Sequence, residues 1–182
     1  MEDKYDLVVL FGEAGAGKDT ILDEIVKNFP FHKLISYTTR PPRENEEDGV
    51  QYHFCSEEEF NKTIFLESTE FNNWYYGTAK SSLQKDQVNI GVFNIEGIRN
   101  LRKQEDITVY PIYVGCDDKT RLLRQLSREV HPDCAEICRR FLTDKKDFDS
   151  IDFDYTYLDN TKSIQNVIEN LGQILYDLDI LS

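Results

Sequence analysis

Positive charge is scarce in this chain. Lysine and arginine total 21 against 34 aspartates and glutamates, a net charge of −13. Such a chain lacks the basic surface that nucleic-acid binding demands. A nucleotide site, by contrast, needs only a few cations at chosen positions. Long apolar runs are missing too, and none approaches the ~20 residues of a membrane span. The N-terminus, MEDKYD, is acidic and passes straight into a strand, unlike a secretory signal, so a cytoplasmic location is expected. Cysteine is sparse: Cys55, Cys116, Cys134 and Cys138 form no paired framework, and free thiols are expected. His131, Cys134 and Cys138 could be read as a metal cluster, but structural zinc wants a fourth ligand and none is nearby. What is present is 182 residues with 40% hydrophobic content, enough for one globular domain with small inserted lobes.

The most informative stretch is Gly12-Glu13-Ala14-Gly15-Ala16-Gly17-Lys18-Asp19-Thr20. The apolar run Asp6–Phe11 leads into it and a periodic helical stretch, Thr20–Asn28, leaves it. Strand, glycine-rich turn and helix start are what a phosphate-binding loop needs, because the glycines let backbone N–H groups close on phosphate oxygens. Lys18 is placed to reach the terminal phosphates of a nucleotide. The spacing fits G-x-x-x-x-G-K, except that Asp19 replaces the usual hydroxyl residue and Thr20 comes one place later. The bland alternative is a strand-to-helix turn that binds nothing.

A second stretch follows a predicted strand over Lys33–Tyr37. It reads Ser36-Tyr37-Thr38-Thr39-Arg40-Pro41-Pro42-Arg43, then Glu46, Gly49, Tyr52 and Phe54. The prolines stiffen the backbone between Arg40 and Arg43, which suits two guanidinium groups to forked contacts with a phosphate. The competing reading is a solvated loop with surface ion pairs. Ser56-Glu57-Glu58-Glu59 is a capping box opening a short helix to about Ile64. Glu67 follows two large apolar residues, and a buried carboxylate there would need a partner; exposure on a strand face is the alternative.

Taken in this order, the motifs resemble guanylate kinase. The resemblance rests on the loop Gly12–Thr20, Ser36-x-Thr38-Thr39-Arg40-x-Pro42-Arg43, Glu46-x-x-Gly49-x-x-Tyr52-x-Phe54, and Glu67 followed by Tyr76-Gly77-Thr78. It implies that Gly12 to Thr20 hold ATP. It implies that Ser36, Arg40, Arg43, Tyr52 and Tyr76 hold the GMP phosphate or frame its pocket, while Glu67 and Thr78 read the base. One carboxylate can accept guanine N1–H and N2–H together, and adenine offers no such pair. A site built around a required hydrogen bond rejects analogues lacking it by up to ~10⁴.

The rest of the chain is read against that pattern. Val88–Ile95 is predicted as a buried strand with Glu96-Gly97 at its end. The family usually carries Asp-x-Asp there, and this chain has Asn94-Ile95-Glu96. Glu96 is the expected remaining carboxylate for GMP and magnesium, with Asp19 compensating at the metal. Helices are predicted over Ile98–Gln104, Asp117–Val130 and beyond His131-Pro132, with a strand over Ile107–Gly115 in which Pro111 is awkward. By resemblance Arg124, Arg128 and Arg140 belong to a lid over the ATP phosphates, with Arg139 as the fallback. Arg121 is expected in a solvated i,i+4 pair. Asp154–Leu158 is a last strand, Asp159-Asn160 reverses the family's Asn-Asp near adenine, and Thr161–Ile180 is an amphipathic helix.

The expected fold is therefore α/β, a three-layer P-loop core with a parallel sheet. Residues 1–35, 81–120 and 148–182 form the core, 36–80 an inserted GMP-binding lobe and 121–147 a helical lid. The expected reaction is phosphoryl transfer from MgATP to GMP or dGMP, with Lys18, Arg40, Arg43, Arg128 and Arg140 neutralising charge. The expected state is monomer or homodimer, with no nucleic-acid or membrane partner. Two rivals remain: a kinase of another (deoxy)nucleotide or phosphorylated small molecule, since Gly-Lys-Asp-Thr also resembles some phage-type deoxynucleotide kinases, and an inactive phosphoprotein-binding module.

Overall fold

The apolar run near the N-terminus forms β1 (Tyr5–Phe11), in which Leu7 to Phe11 are fully buried. Consecutive buried residues mean that both faces are covered, as in an interior strand. A computed structural model describes residues 4–42, 46–71, 73–128 and 130–181. After the glycine-rich turn, α1 (Lys18–Asn28) starts behind Gly17, two residues before the predicted Thr20. Ile21, Leu22 and Ile25 bury one face of α1, and Phe29 is extended ahead of Pro30, as proline sterics require.

The predicted strand Lys33–Tyr37 is in fact two short strands, β2 (His32–Lys33) and β3 (Tyr37–Thr38), which join different sheets. Next come β4 (His53–Phe54) and α2 (Glu57–Lys62), where the capping box is realised: Glu59 N–H donates to Ser56 Oγ and Ser56 N–H to Glu59. β5 (Phe65–Phe71) and β6 (Trp74–Ala79) form an antiparallel hairpin in which Glu67 lies opposite Thr78, just after a register shift. These strands make a four-stranded sheet ordered β4-β3-β6-β5.

The strand predicted to reach Ile95 ends earlier. β7 is Asn89–Val92 and α3 is Ile95–Leu101, because the Asn94 side chain accepts the Gly97 N–H and caps the helix. β8 (Ile107–Gly115) matches its predicted span. α4 (Asp118–Leu126) stops short of Val130, and α5 (Cys134–Asp147) follows, each opened by an aspartate cap. β9 (Thr156–Asp159) and α6 (Ile164–Asp177) close the chain, with Val167, Leu171 and Leu175 buried along the predicted stripe.

The central sheet runs β2-β7-β1-β8-β9, with β2–β7 and β8–β9 parallel. Pro111 fits β8 for a specific reason. Gly115 O accepts the Asn160 N–H, so Gly115, and by period two Pro111, face β9. Pairing with β9 begins only at Ile112, so the donor that Pro111 lacks has no ladder partner to lose there.

By contact the chain gathers into two units, Met1–Val8 with Pro30–Val109, and Val9–Phe29 with Tyr110–Ser182. The first contains the predicted lobe 36–80; the second contains the phosphate loop and the predicted lid 121–147. Among the described residues no helix is long and apolar enough to cross a membrane, and no three His, Cys, Asp or Glu residues cluster as a metal site. All four cysteines are free.

Candidate active site

In the second unit the loop is held open by backbone that only glycine adopts easily. Gly15 and Gly17 have φ of 81° and 92°. A Cβ on Gly15 would sit 2.5 Å from Arg121 O, and one on Gly17 2.5 Å from Asn160 Nδ2. Lys18 curls back over the loop and donates to Gly12 O at 2.7 Å and Glu13 O at 3.0 Å. Burial of its ammonium lowers the Lys18 pKa from the ordinary value; Asp19 and Asp144 oppose this, while Arg140 and Arg121 add to it. Asp19 and Thr20 are exposed in the first turn of α1.

Other residues brace the loop from the side. Asn160 donates its amide to Ala16 O at 2.6 Å, so the residue expected near adenine is committed to the loop backbone. Arg124 lies across the same carbonyls, donating to Ala16 O at 3.2 Å and to Asn160 O at 3.3 Å. Arg140 is close enough to act on the Lys18 charge. Arg139 forms a forked pair with Glu136 on the exposed side of α5, at 2.7 and 2.8 Å. Arg128 lies beyond the end of α4 and is exposed.

Arg121 requires a correction. Expected in a solvated pair, it is 0% exposed. It donates to Glu13 Oε1 at 2.6 Å, Ala14 O and Asp118 at 3.1 Å, and Asp144 at 3.4 Å. Its guanidinium also lies 4.9 Å from the centre of the Phe141 ring. The cause is the glutamate at position 13: a carboxylate buried at the loop needs a cation, and Arg121 and the Tyr113 hydroxyl, at 2.8 Å, both serve it. Burial, then Glu13, raises the Tyr113 pKa.

The first unit carries a different set of groups. Glu67 is largely buried on β5, and its Oε1 accepts the Thr78 N–H at 3.2 Å. Thr78 is fully buried, and its hydroxyl lies 3.0 Å from Ser36 Oγ. Burial pushes the Glu67 pKa up to about 7, while the Thr78 contacts pull it down. Glu67 Oε2 also abuts α3, since a Cβ on Gly97 would lie 2.9 Å from it. Ser36, Glu67 and Thr78 are thus brought together as a small acceptor-rich group.

Arg40 lies on the same lobe. Its Nη2 forks onto Glu46 at 2.9 and 3.0 Å, its Nη1 donates to Pro41 O at 2.8 Å, and its guanidinium packs 5.6 Å from the Tyr52 ring centre. Tyr52 meets Tyr76 edge-on at 5.9 Å. Arg43 lies outside the described residues. Glu96 is exposed in the first turn of α3 and pairs with Arg99 at 3.3 Å, instead of ending a strand as expected.

Sequence reasoning quoted Glu46 only as part of a motif, whereas here it aims Arg40. It gave Asp144 no role at all. Asp144 is one of two half-buried acids on α5, but its partners, Ala14 and Arg121, are remote in sequence and no spacing rule finds them.

The guanylate kinase family model matches residues 4–178. A guanylate kinase of Malacoplasma penetrans is 30% identical over 96% of this chain and 94% of its own length. That of onion yellows phytoplasma is 32% identical over 93% and 84% respectively. Among solved structures, Anaplasma phagocytophilum guanylate kinase has a TM-score of 0.65 at 18% identity, covering 100% of this chain and 90% of its own. A sugar kinase of Janibacter has a TM-score of 0.54 at 15% identity, covering 97% and 95%. The solved structures share the fold; the sequence relatives and the family model carry the identity, and the chain belongs to the guanylate kinase family.

Proposed function

We propose that this chain transfers the terminal phosphoryl group of MgATP to GMP or dGMP, giving ADP and GDP or dGDP. The observation that carries the reading is the half-buried Glu67 carboxylate beside Thr78 and Ser36. The phosphate loop alone does not name an acceptor, since a sugar kinase shares the fold. Glu67 does, because its two oxygens match the paired N1–H and N2–H donors of guanine. Adenine would set the lone pair of its N1 against the carboxylate in place of those donors.

In this reading Gly12 to Thr20 wrap the ATP phosphates, with Lys18 leaving its loop carbonyls for phosphate oxygens. Arg124 covers the loop, and Arg128 and Arg140 offset charge as it spreads in the transition state. Arg40, aimed by Glu46, binds the GMP phosphate with Arg43, and Tyr52, Tyr76 and Ser36 frame it. Arg40 turns Nη1 to Pro41 O and Nη2 to Glu46, and a guanidinium has five N–H donors. Magnesium enters with ATP and neutralises phosphate charge when bound. The exposed Asp19 and Thr20 suit an ion that keeps most of its water and takes one or two protein oxygens, and Glu96 is the further carboxylate to test. The lobe 36–80 and lid 121–147 are the segments proposed to close on substrates, in the cytoplasm, with the chain as monomer or homodimer and without nucleic acid or membrane.

A coupled ADP-release assay across GMP, dGMP, AMP, CMP and UMP tests this function. Turnover confined to GMP and dGMP is the expected result. Turnover with another base, or ATP binding without any acceptor, would overturn it.

A further inference from the structure

The buried charge cluster at the loop is not needed to bind either nucleotide directly, and it is costly to build. A fully buried arginine loses its hydration, and replacing such pairs with apolar groups often leaves stability unchanged or improved. Stability is therefore a weak reason for it. Its geometry suggests another. Arg121 of α4 grips the first half of the loop twice, at the Glu13 carboxylate (2.6 Å) and at Ala14 O (3.1 Å). Asp144 of α5 grips the same residue from its other end, accepting the Ala14 N–H at 2.6 Å. The two side chains also meet at 3.4 Å. Both polar groups of Ala14 are thus held by side chains, and the Ala16 N–H turns back onto Glu13 O at 3.2 Å, so the turn of the loop is fixed from both sides.

The tether also sets where α5 lies. Asp144 follows Arg140 by four residues, so the two share a helix face. Fixing Asp144 to the loop turns that face, and with it the Arg140 charge that Lys18 feels, toward the phosphates' place. Arg139, one position round the helix, is paired with Glu136 in solvent. Lys145 completes the attachment of α5 to α4 by pairing with Asp118 at 2.7 Å.

We propose that Arg121 and Asp144 are positioning residues for the phosphoryl donor: together they preset the phosphate loop and dock α5 so that Arg140 faces it. This rests on the reading of the loop as the ATP site. Both residues belong to the unit that holds the phosphate loop, and the described groups assigned to GMP belong to the other, so the effect should fall on one substrate only.

The test is calorimetric titration of ATP and, separately, of GMP into the wild type, Arg121→Lys and Asp144→Asn, with steady-state KM values for both substrates. Lysine keeps the charge but cannot fork, and asparagine keeps an acceptor for Ala14 N–H but not the charge. We expect the ATP Kd and KM to rise about 10- to 100-fold, the size typical of lost supporting contacts, with the GMP Kd within twofold of wild type. Asp144→Glu, which restores charge at a longer reach, should recover part of the ATP affinity. An ATP Kd within threefold of wild type, a parallel rise for both substrates, or tighter ATP binding by Asp144→Asn would overturn the proposal. Should Arg121→Lys fail to fold, the half-buried Asp144→Asn decides alone. Because ATP binding is read directly, a wild type that does not phosphorylate GMP would defeat the proposed function and leave this inference still decided by the ATP titration.

Discussion

Glu67 couples base recognition to its own ionisation. Burial raises its pKa to about 7, and only the carboxylate can accept both guanine donors. The sign follows: lowering pH through 7 protonates the group and weakens GMP. With that pKa, GMP affinity should fall about tenfold between pH 8 and pH 6, and one pH unit is worth 1.36 kcal/mol in the limit. The GMP phosphate also titrates near pH 6, so Glu67→Gln is the reference: its pH profile should be flatter than wild type, with much weaker binding throughout. Equal slopes in the two proteins would remove the role. Lys18 was singled out by its place after the glycines, and Glu67 and Thr78 were given their roles by the family resemblance alone; the fold brings the last two to 3.2 Å. Arg121 was expected in a solvated local pair, whereas its shortest contact is Glu13, 108 positions away.

Among the elements, those with explicit local signals appeared where the sequence placed them. The capping box at Ser56 opens α2, the apolar run Leu7–Phe11 is β1, and the stripe on α6 is buried at Val167, Leu171 and Leu175. Boundaries failed where one side chain could serve two structures. Asn94 looked like strand and became a helix cap, and Lys33–Tyr37 looked like one strand where the chain passes between two sheets. Pro111 was tolerated because pairing with β9 starts one residue later, which no single-strand pattern reveals. One consequence is measurable. Ser56→Ala removes the reciprocal cap of α2 and should cost about 1 kcal/mol in denaturant unfolding. ATP affinity should be unchanged, because α2 and the phosphate loop belong to different units. An unaltered midpoint would mean that the cap contributes nothing.

For the whole molecule, the net charge of −13 conflicts with two anionic substrates only if charge is averaged. Screening over about 8 Å at physiological salt makes the nearest groups decisive. Around the loop these are Lys18, Arg121, Arg124 and Arg140, and on the lobe Arg40. Motif order could name the family. It could not show that the loop is braced by a buried arginine, since that depends on the folded path of α4 and α5.

The most direct measurement compares GMP with IMP, which differs only in lacking the 2-amino group, as acceptors for ATP at pH 8. With Glu67 accepting from N1–H and N2–H, kcat/KM should favour GMP by at least about tenfold, the worth of a lost hydrogen bond to a charged group. Glu67→Gln should narrow that ratio. Equal turnover of GMP and IMP by the wild type would contradict base reading by Glu67, and with it the proposed acceptor.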